Sequence, residues 1–367
     1  MKGSRRMDVY IIGYASHPPA EKVLSKRLEE MVYDTSAAAL RAAGIERAEI
    51  DHITLATCDE LDGRSISSML MAAPAGGYLK DELKVTDSGM VGLHLAAMRI
   101  ATGRYDLGLL ASWNKTSKAP FEDVMRMRCE PFFTRPIGLN AAISDALFAQ
   151  AQSKKGIGEE RAAAMSAKLR TSAAGNPRGL RRKAVPERDI AASPYISTPL
   201  RAGHRADVTD GAISMVLASG GWLEQHPNAK PLARIAGIGS SIDPYYLGGE
   251  RLAELKSFRK AWDGALQRAG GTTSDLGGVE LDCQTSYHAL AYGHALGLVG
   301  SPGFCPSGSA FAQNPYFCSG LVNLIEAVEQ VRGTAGPVQQ PQKRFAAAHG
   351  QHGFAQQGNV VAVVERV

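Results

Sequence analysis

Three stretches of the sequence carry residue types that can move protons. AHGQHGFAQQGN sets His349 and His352 in a glycine-rich turn just before an apolar segment. Histidine is the side chain best matched to proton transfer near neutral pH, which makes His349 the first candidate base and His352 the second. Exposed loop histidines without a role would give the same pattern. Thr86-Asp87-Ser88-Gly89 precedes an apolar helical run. A carboxylate at such a place is either a general base or an N-terminal helix cap, and the sequence leaves both open. TCDELDGRS, residues 57–65, gathers Asp59, Glu60, Asp62 and Arg64 behind a strand signal. It reads as an internal salt bridge, or as a loop that lets Cys58 or Asp59 reach a site.

The five cysteines, Cys58, Cys129, Cys283, Cys305 and Cys318, include no CxxC pair, so no metal site is expected. Their odd number, with no signal peptide in view, fits reduced thiols in the cytoplasm. The N-terminus is basic (Lys2, Arg5, Arg6), and the apolar run at residues 9–12 is too short for a signal segment and reads as a first strand.

The elements that must position these residues come in two similar sets. Residues 39–60 and 265–286 both read as a helix, a glycine stop (Gly44, Gly270) and an apolar strand buried on both faces. Residues 88–112 give a helix opening on a serine-glycine pair and then a strand, and residues 319–333 repeat that helix. Each set closes on a strand, at residues 211–219 and 359–367. Alternating strands and helices imply crossovers and a mainly parallel sheet in each half. The halves are assigned to residues 1–224 and 225–367. Residues 115–205, with helical pieces at 140–155 and 159–174, form a cap that leaves and rejoins the first half.

Composition narrows the function classes. The net charge of +5 over 367 residues is small, and 44% of the residues are hydrophobic. No stretch approaches the ~20 apolar residues that span a bilayer. The densest basic segment, Arg178 to Arg188, reads as a solvated loop or as a clamp for a phosphorylated ligand, so neither a nucleic-acid nor a membrane partner is expected.

Three stretches resemble the thiolase superfamily. ISDALFAQAQSKKGIGEERAAAMSAKLRTSAAGNPRG is similar to its loop-domain helices, which end in Ala-x-x-Asn-Pro. ISTPLRAGHRADVTDGAISMVLAS matches at Pro199, Leu200, Asp210, Gly211 and Ala212, and PSGSAFAQNPYFCSGLVNLIEAVEQVRG resembles the glycine-rich histidine loop with its following helix. Asp282, Cys283 and the ALGL at residues 295–298 are most similar to the branch of sterol-carrier-protein-type thiolases. The resemblance implies an α/β thiolase fold, with two similar α/β halves in a five-layer αβαβα arrangement.

The resemblance also assigns positions, and at several of them this chain departs from the pattern. Thr86 falls where the nucleophilic cysteine of Cys-x-Ser-Gly would stand, with Ser88 and Gly89 matching the turn. Threonine is a far weaker nucleophile without an activating base. Leu281 replaces the asparagine or histidine before Asp-Cys, and Cys283 reads as a buried structural thiol. Asn314, before Pro315, stands for the histidine of Gly-His-Pro; an amide can donate to an oxyanion but cannot act as a base. His294 lies one loop too early and reads as helical and structural. Ser88, Gly89, Arg182 and Ser307 are the implied substrate contacts.

A coenzyme A thioester is the implied substrate, with no tightly bound cofactor. Three functions remain open. One is a carbon–carbon bond-forming or bond-cleaving enzyme, such as a retro-aldol lyase, without a cysteine intermediate. Another is an acyltransferase using Cys305 or Cys58. The third is a non-catalytic subunit. The implied assembly is a homodimer or a heteromer with another thiolase-like chain, and a small zinc-ribbon/OB-fold protein is a further implied partner.

Overall fold

A computed structural model describes residues 8–367, and the basic Lys2, Arg5 and Arg6 lie outside them. The strands are β1 (Val9–Ser16), β2 (His52–Thr57), β3 (Asp81–Thr86), β4 (Leu107–Asn114), β5 (Tyr195–Ser197), β6 (Leu200–Arg201), β7 (Gly211–Ser219), β8 (Ala233–Ile242), β9 (Leu276–Glu280), β10 (Phe345–His352) and β11 (Gly358–Glu365). The helices are α1 (Leu28–Ala43), α2 (Asp59–Asp62), α3 (Ser68–Met71), α4 (Gly89–Ala101), α5 (Phe121–Met127), α6 (Ala141–Ser153), α7 (Glu159–Gly175), α8 (Glu187–Ala191), α9 (Gly220–Gln225), α10 (Gly249–Glu254), α11 (Lys256–Ala269), α12 (Ser286–Leu296) and α13 (Ser319–Arg332).

Nine strands form one ladder in the order β3-β2-β4-β7-β1-β8-β11-β10-β9. The order repeats about its middle. Beyond β9, Phe304 bridges in parallel to Val279 and stands where β3 stands in the first half. The halves meet at a narrow seam, where β1 pairs with β8 only at Val9–Ile235, Tyr10–Arg234 and Ile11–Ala233.

The sheets are mixed, which corrects the expectation of mainly parallel ones. β2 is parallel to β3 and β4, and β9 to β10. β1–β7, β4–β7, β8–β11 and β10–β11 are antiparallel. Only residues 353–357 separate β10 from β11. That turn is too short for the crossover a parallel pair needs. Hydrophobic periodicity reports burial and is silent on strand direction.

Side-chain alternation along each strand builds the layers. Ile12 of β1 faces α1 in one apolar cluster, while Ile11 faces the centre of the molecule. α4 and α13 share the central cluster, and α11 covers the other half from outside. The central layer is tight. A Cβ on Gly350 of β10 would lie 2.6 Å from Met90 Cγ and 3.1 Å from the Cα of Gly320. α1 and α11 both end at left-handed glycines, Gly44 (φ 68°) and Gly270 (φ 67°), which carry no Cβ penalty there.

α6 and α7 pack onto α11 and α12 in one apolar cluster. Asn176 of the Asn-Pro pair fastens the end of α7: its Nδ2 donates to Glu326 Oε1 of α13 (2.9 Å) and to the Ser307 carbonyl (3.2 Å). Arg178 closes on the same buried Glu326 at 2.5 Å. This part of the basic segment is therefore structural.

Candidate active site

The turn between β3 and α4 is built from three residues with separate tasks. Thr86 ends β3 and is exposed. Ser88 caps α4, its Oγ accepting from Met90 N at 3.2 Å, an arrangement worth about 1 kcal/mol. The cap is therefore the serine, and Asp87 is left over for something else. Asp87 has φ 97°, a left-handed conformation that costs a non-glycine residue roughly 1 kcal/mol or more. Its N–H donates to the Thr57 carbonyl (2.8 Å), which holds the turn against the end of β2.

The Asp87 carboxylate faces the second half. Gly353 N donates to Asp87 Oδ2 at 3.1 Å, and Arg128 Nη2 stands 3.4 Å from the same oxygen. Arg128 follows α5, lies over the Phe317 ring (5.3 Å) and also faces Glu60 (3.7 Å). His352 ends β10 beside this pair. Burial holds its imidazole below the ordinary 6.5, although the charge of Asp87 pulls the other way. A neutral imidazole and a carboxylate thus share one small region, the combination general acid–base chemistry requires.

His349 is placed differently. It lies within β10 and not in a turn: the run AAAHGQH looks loop-like because it is poor in β-formers, but small residues are what the tight central layer admits. Its ring is fully buried, edge-on to Phe258 (5.2 Å) and Tyr292 (5.1 Å). Nε2 meets Asn359 Oδ1 at 2.8 Å and Nδ1 accepts from Asp282 N at 3.3 Å. Burial lowers its pKa to about 4. Both ring nitrogens are engaged and the ring is walled off, so His349 is not placed to take a proton from a ligand.

Asn314 is also buried. Its amide exchanges two hydrogen bonds with Gln284 (2.7 and 3.0 Å), and Gln284 Nε2 also donates to Asp282 Oδ1 (2.7 Å). Ser319 Oγ and Gln351 N complete the shell of Asp282. The four loops picked out in the sequence therefore converge. Ser307 does not join them: it is 2% exposed and its Oγ donates to Glu280 (2.7 Å), which leaves no polar group for a ligand. Arg182 is committed to Glu21 (2.9 Å) and Asp207 (2.6 Å) at the surface. A Cβ on Gly89 would meet Leu321 at 2.7 Å, so this glycine serves packing.

Tyr316 and Asp145 belong to the same region and were missed in the sequence. Tyr316 packs on Phe121 (4.8 Å), with its hydroxyl in the field of Asp145, Asp87, Arg205 and Asp282. Burial lifts Asp145 to about 7 despite Arg205 at 3.3 Å. The position of Tyr316, two residues after Asn314, was the available signal. Asp145 sits in a helix with no such mark.

All five cysteines are free and buried. Burial pushes Cys58 and Cys318 up to about 12 and Cys129 up to about 11, and it raises Cys283. Among the described residues, no group of three His, Cys, Asp or Glu is placed to hold a metal. A cavity of about 410 Å³ opens by His94, Met98 and Arg268, along α4 away from its capped start, and touches none of these residues.

Solved structures match this arrangement over nearly its whole length. Human mitochondrial 3-ketoacyl-CoA thiolase superposes with a TM-score of 0.81 at 16% identity, covering 98% of this chain and 99% of that one. The chain has the thiolase fold. The same human enzyme in complex with CoA gives 0.80 at 16% identity, with 98% of each chain covered. An Ltp2–ChsH2(DUF35) aldolase gives 0.80 at 19% identity, again over 98% of each chain. No family model and no curated protein matches the sequence. In this chain the Asp87 turn meets the end of β10, β10 meets Asp282, and Gln284 links Asp282 to Asn314.

Proposed function

We propose that this protein makes or breaks a carbon–carbon bond beside a coenzyme A thioester without an acyl-cysteine intermediate. One observation carries the reading. The turn that resembles the thiolase Cys-x-Ser-Gly loop holds the carboxylate of Asp87 on the N–H of Gly353, the residue after His352, while every cysteine is buried. A buried thiol held protonated is a poor nucleophile. Of an acyltransferase and a retro-aldol lyase, the lyase is the better fit.

In the cleavage direction, Asp87 or His352 takes the proton from the β-hydroxyl of the thioester. The bond between the α and β carbons then breaks, its electrons forming the thioester enolate, and the β carbon leaves as a carbonyl. The captured proton returns to the α carbon. Asn314 would polarise the thioester oxygen once its amide exchanges Gln284 for the substrate. The CoA complex of one fold neighbour supports a CoA ligand; the Arg182 ion pairs with Glu21 and Asp207 would have to open for that side chain to reach it. The Ltp2–ChsH2(DUF35) neighbour supports a heteromer, and the open edge of β3 offers a second thiolase-like chain a strand to pair with. A small zinc-ribbon/OB-fold partner and a cytoplasmic setting belong to the same proposal.

The test combines two measurements on the purified chain. Intact mass after incubation with acetyl-CoA is expected to show no adduct, and a β-hydroxyacyl-CoA is expected to release an aldehyde or ketone. A stable acetyl adduct lost in C305A or C58A overturns the reading. A second reading, a non-catalytic subunit, is favoured by the closure of Asp87 under Arg128 and Gly353. It predicts no turnover alone and turnover only with a catalytic thiolase-like partner.

A further inference from the structure

Residues 351–353 are held from both halves of the molecule. Gly353 N donates to Asp87 Oδ2 (3.1 Å) and Gln351 N donates to Asp282 Oδ2 (3.2 Å). His352 lies between these anchors. Asp282 follows β9, is 1% exposed, and among the described residues has no lysine or arginine at ion-pair distance. Burying a carboxylate without a cation is costly, so its donors must be specific. Ser319 Oγ (2.8 Å) ties it to the start of α13 and Gln284 Nε2 (2.7 Å) to the Asn314 loop. The Gln351 side chain folds back onto the Asp282 carbonyl (3.3 Å) and accepts from Tyr292 (3.4 Å).

We propose that Asp282 is a positioning residue that aims His352 at Asp87 by gripping the Gln351 N–H. The proposal rests on the reading of Asp87 and His352 as the proton-transfer pair. The Asp282 carboxylate fixes the backbone before His352 and the Asp87 carboxylate fixes the residue after it, while the ring lies against Gly358 of the paired strand. The groups facing Asp282 are Asp145 of α6, Tyr292 of α12, Tyr316, its neighbour Cys283, and His349 of β10, which accepts its N–H. Burial lifts Asp282 to about 6, against the pull of its three donors. Near that pH the anchor gains a proton and becomes a weaker acceptor.

The test is an NMR titration of the full chain between about pH 5 and 8, with backbone ¹⁵N and histidine ¹³C labels, in wild type, D282N and S319A. In wild type the Gln351 amide proton is expected to titrate with a midpoint near 6. In D282N that step disappears and the His352 ring signal changes position and midpoint. S319A removes one donor from the carboxylate and moves the Gln351 midpoint to higher pH, which keeps the test alive if D282N does not fold. In turnover, D282N lowers kcat by on the order of 10²-fold with KM nearly unchanged, the pattern of a misaimed catalytic group. A Gln351 titration that survives D282N, or a His352 signal indifferent to it, overturns the proposal. Absence of wild-type turnover counts against the proposed function alone, because the spectra judge Asp282 independently.

Discussion

Asp87 and Gly353, 266 residues apart, are joined by one hydrogen bond of 3.1 Å from the Gly353 N–H to the Asp87 carboxylate. The bond ties the turn of the first half to the end of β10 in the second. Asp87→Asn keeps an oxygen for Gly353 but gives up the charge facing Arg128. Aldehyde release from a β-hydroxyacyl-CoA is expected to fall by about 10²–10⁴-fold. Melting should fall as well, because the largely buried Arg128 loses the nearer of its two carboxylates, so activity is compared at a temperature where both proteins are folded. Retention of full activity would remove Asp87 from the mechanism.

The burial of His349 has a pH signature. Its folded-state pKa of about 4 lies below the ordinary 6.5, so on acidification the unfolded chain takes up the proton first. The stability that depends on a neutral His349 is present above about pH 6.5 and is lost as pH falls towards 4. At 1.36 kcal/mol per pH unit the loss is about 3 kcal/mol. Urea titrations of wild type and His349→Asn at a series of pH values should show the wild type losing more across that window. Parallel curves would mean the ring is not kept neutral.

The thiols offer a direct check on the cysteine-free reading. None of the five is exposed. A thiol reagent should leave the native protein essentially unlabelled over minutes and label all five sites in denaturant. One fast-reacting native thiol would identify the nucleophile that the lyase reading does without.

Gly350→Ala tests the close approach in the central layer. The added methyl would sit 2.6 Å from Met90 Cγ and 3.1 Å from the Cα of Gly320, so β10 or a helix has to shift. Overpacking of this kind costs about 1–3 kcal/mol, read as a lower denaturation midpoint. A neutral outcome would show that Met90 has room to swing aside.

The duplicated scaffold was legible because it is written in local signals. Gly44 and Gly270 mark helix ends, and Ser88 marks a helix start, each through backbone chemistry of a few adjacent residues. Asn176 could be read as a motif, although its partner Glu326 could not. Arg128 and Asp145 carry no local mark, because long-range packing brings them to this region, and Tyr316 is marked only by its place two residues after Asn314. Asp282 was visible as part of a family-like pair, yet its role lies in a bond to Gln351 at 69 residues' distance. His349 was misplaced in a turn for the opposite reason: alanine and glycine weaken a strand signal where packing, not propensity, makes the strand.

The position of β1 sets a schedule for synthesis. Its ladder partners are β7, with Val9 opposite Ser219, and β8, with Val9 opposite Ile235. At ribosomal rates of about 5–20 residues per second, β1 waits roughly 10–40 s for β7 and β8 to be made. Through that interval an apolar strand has both edges open. Closure of the sheet around β1 therefore waits on the whole of the intervening chain, helices and cap included.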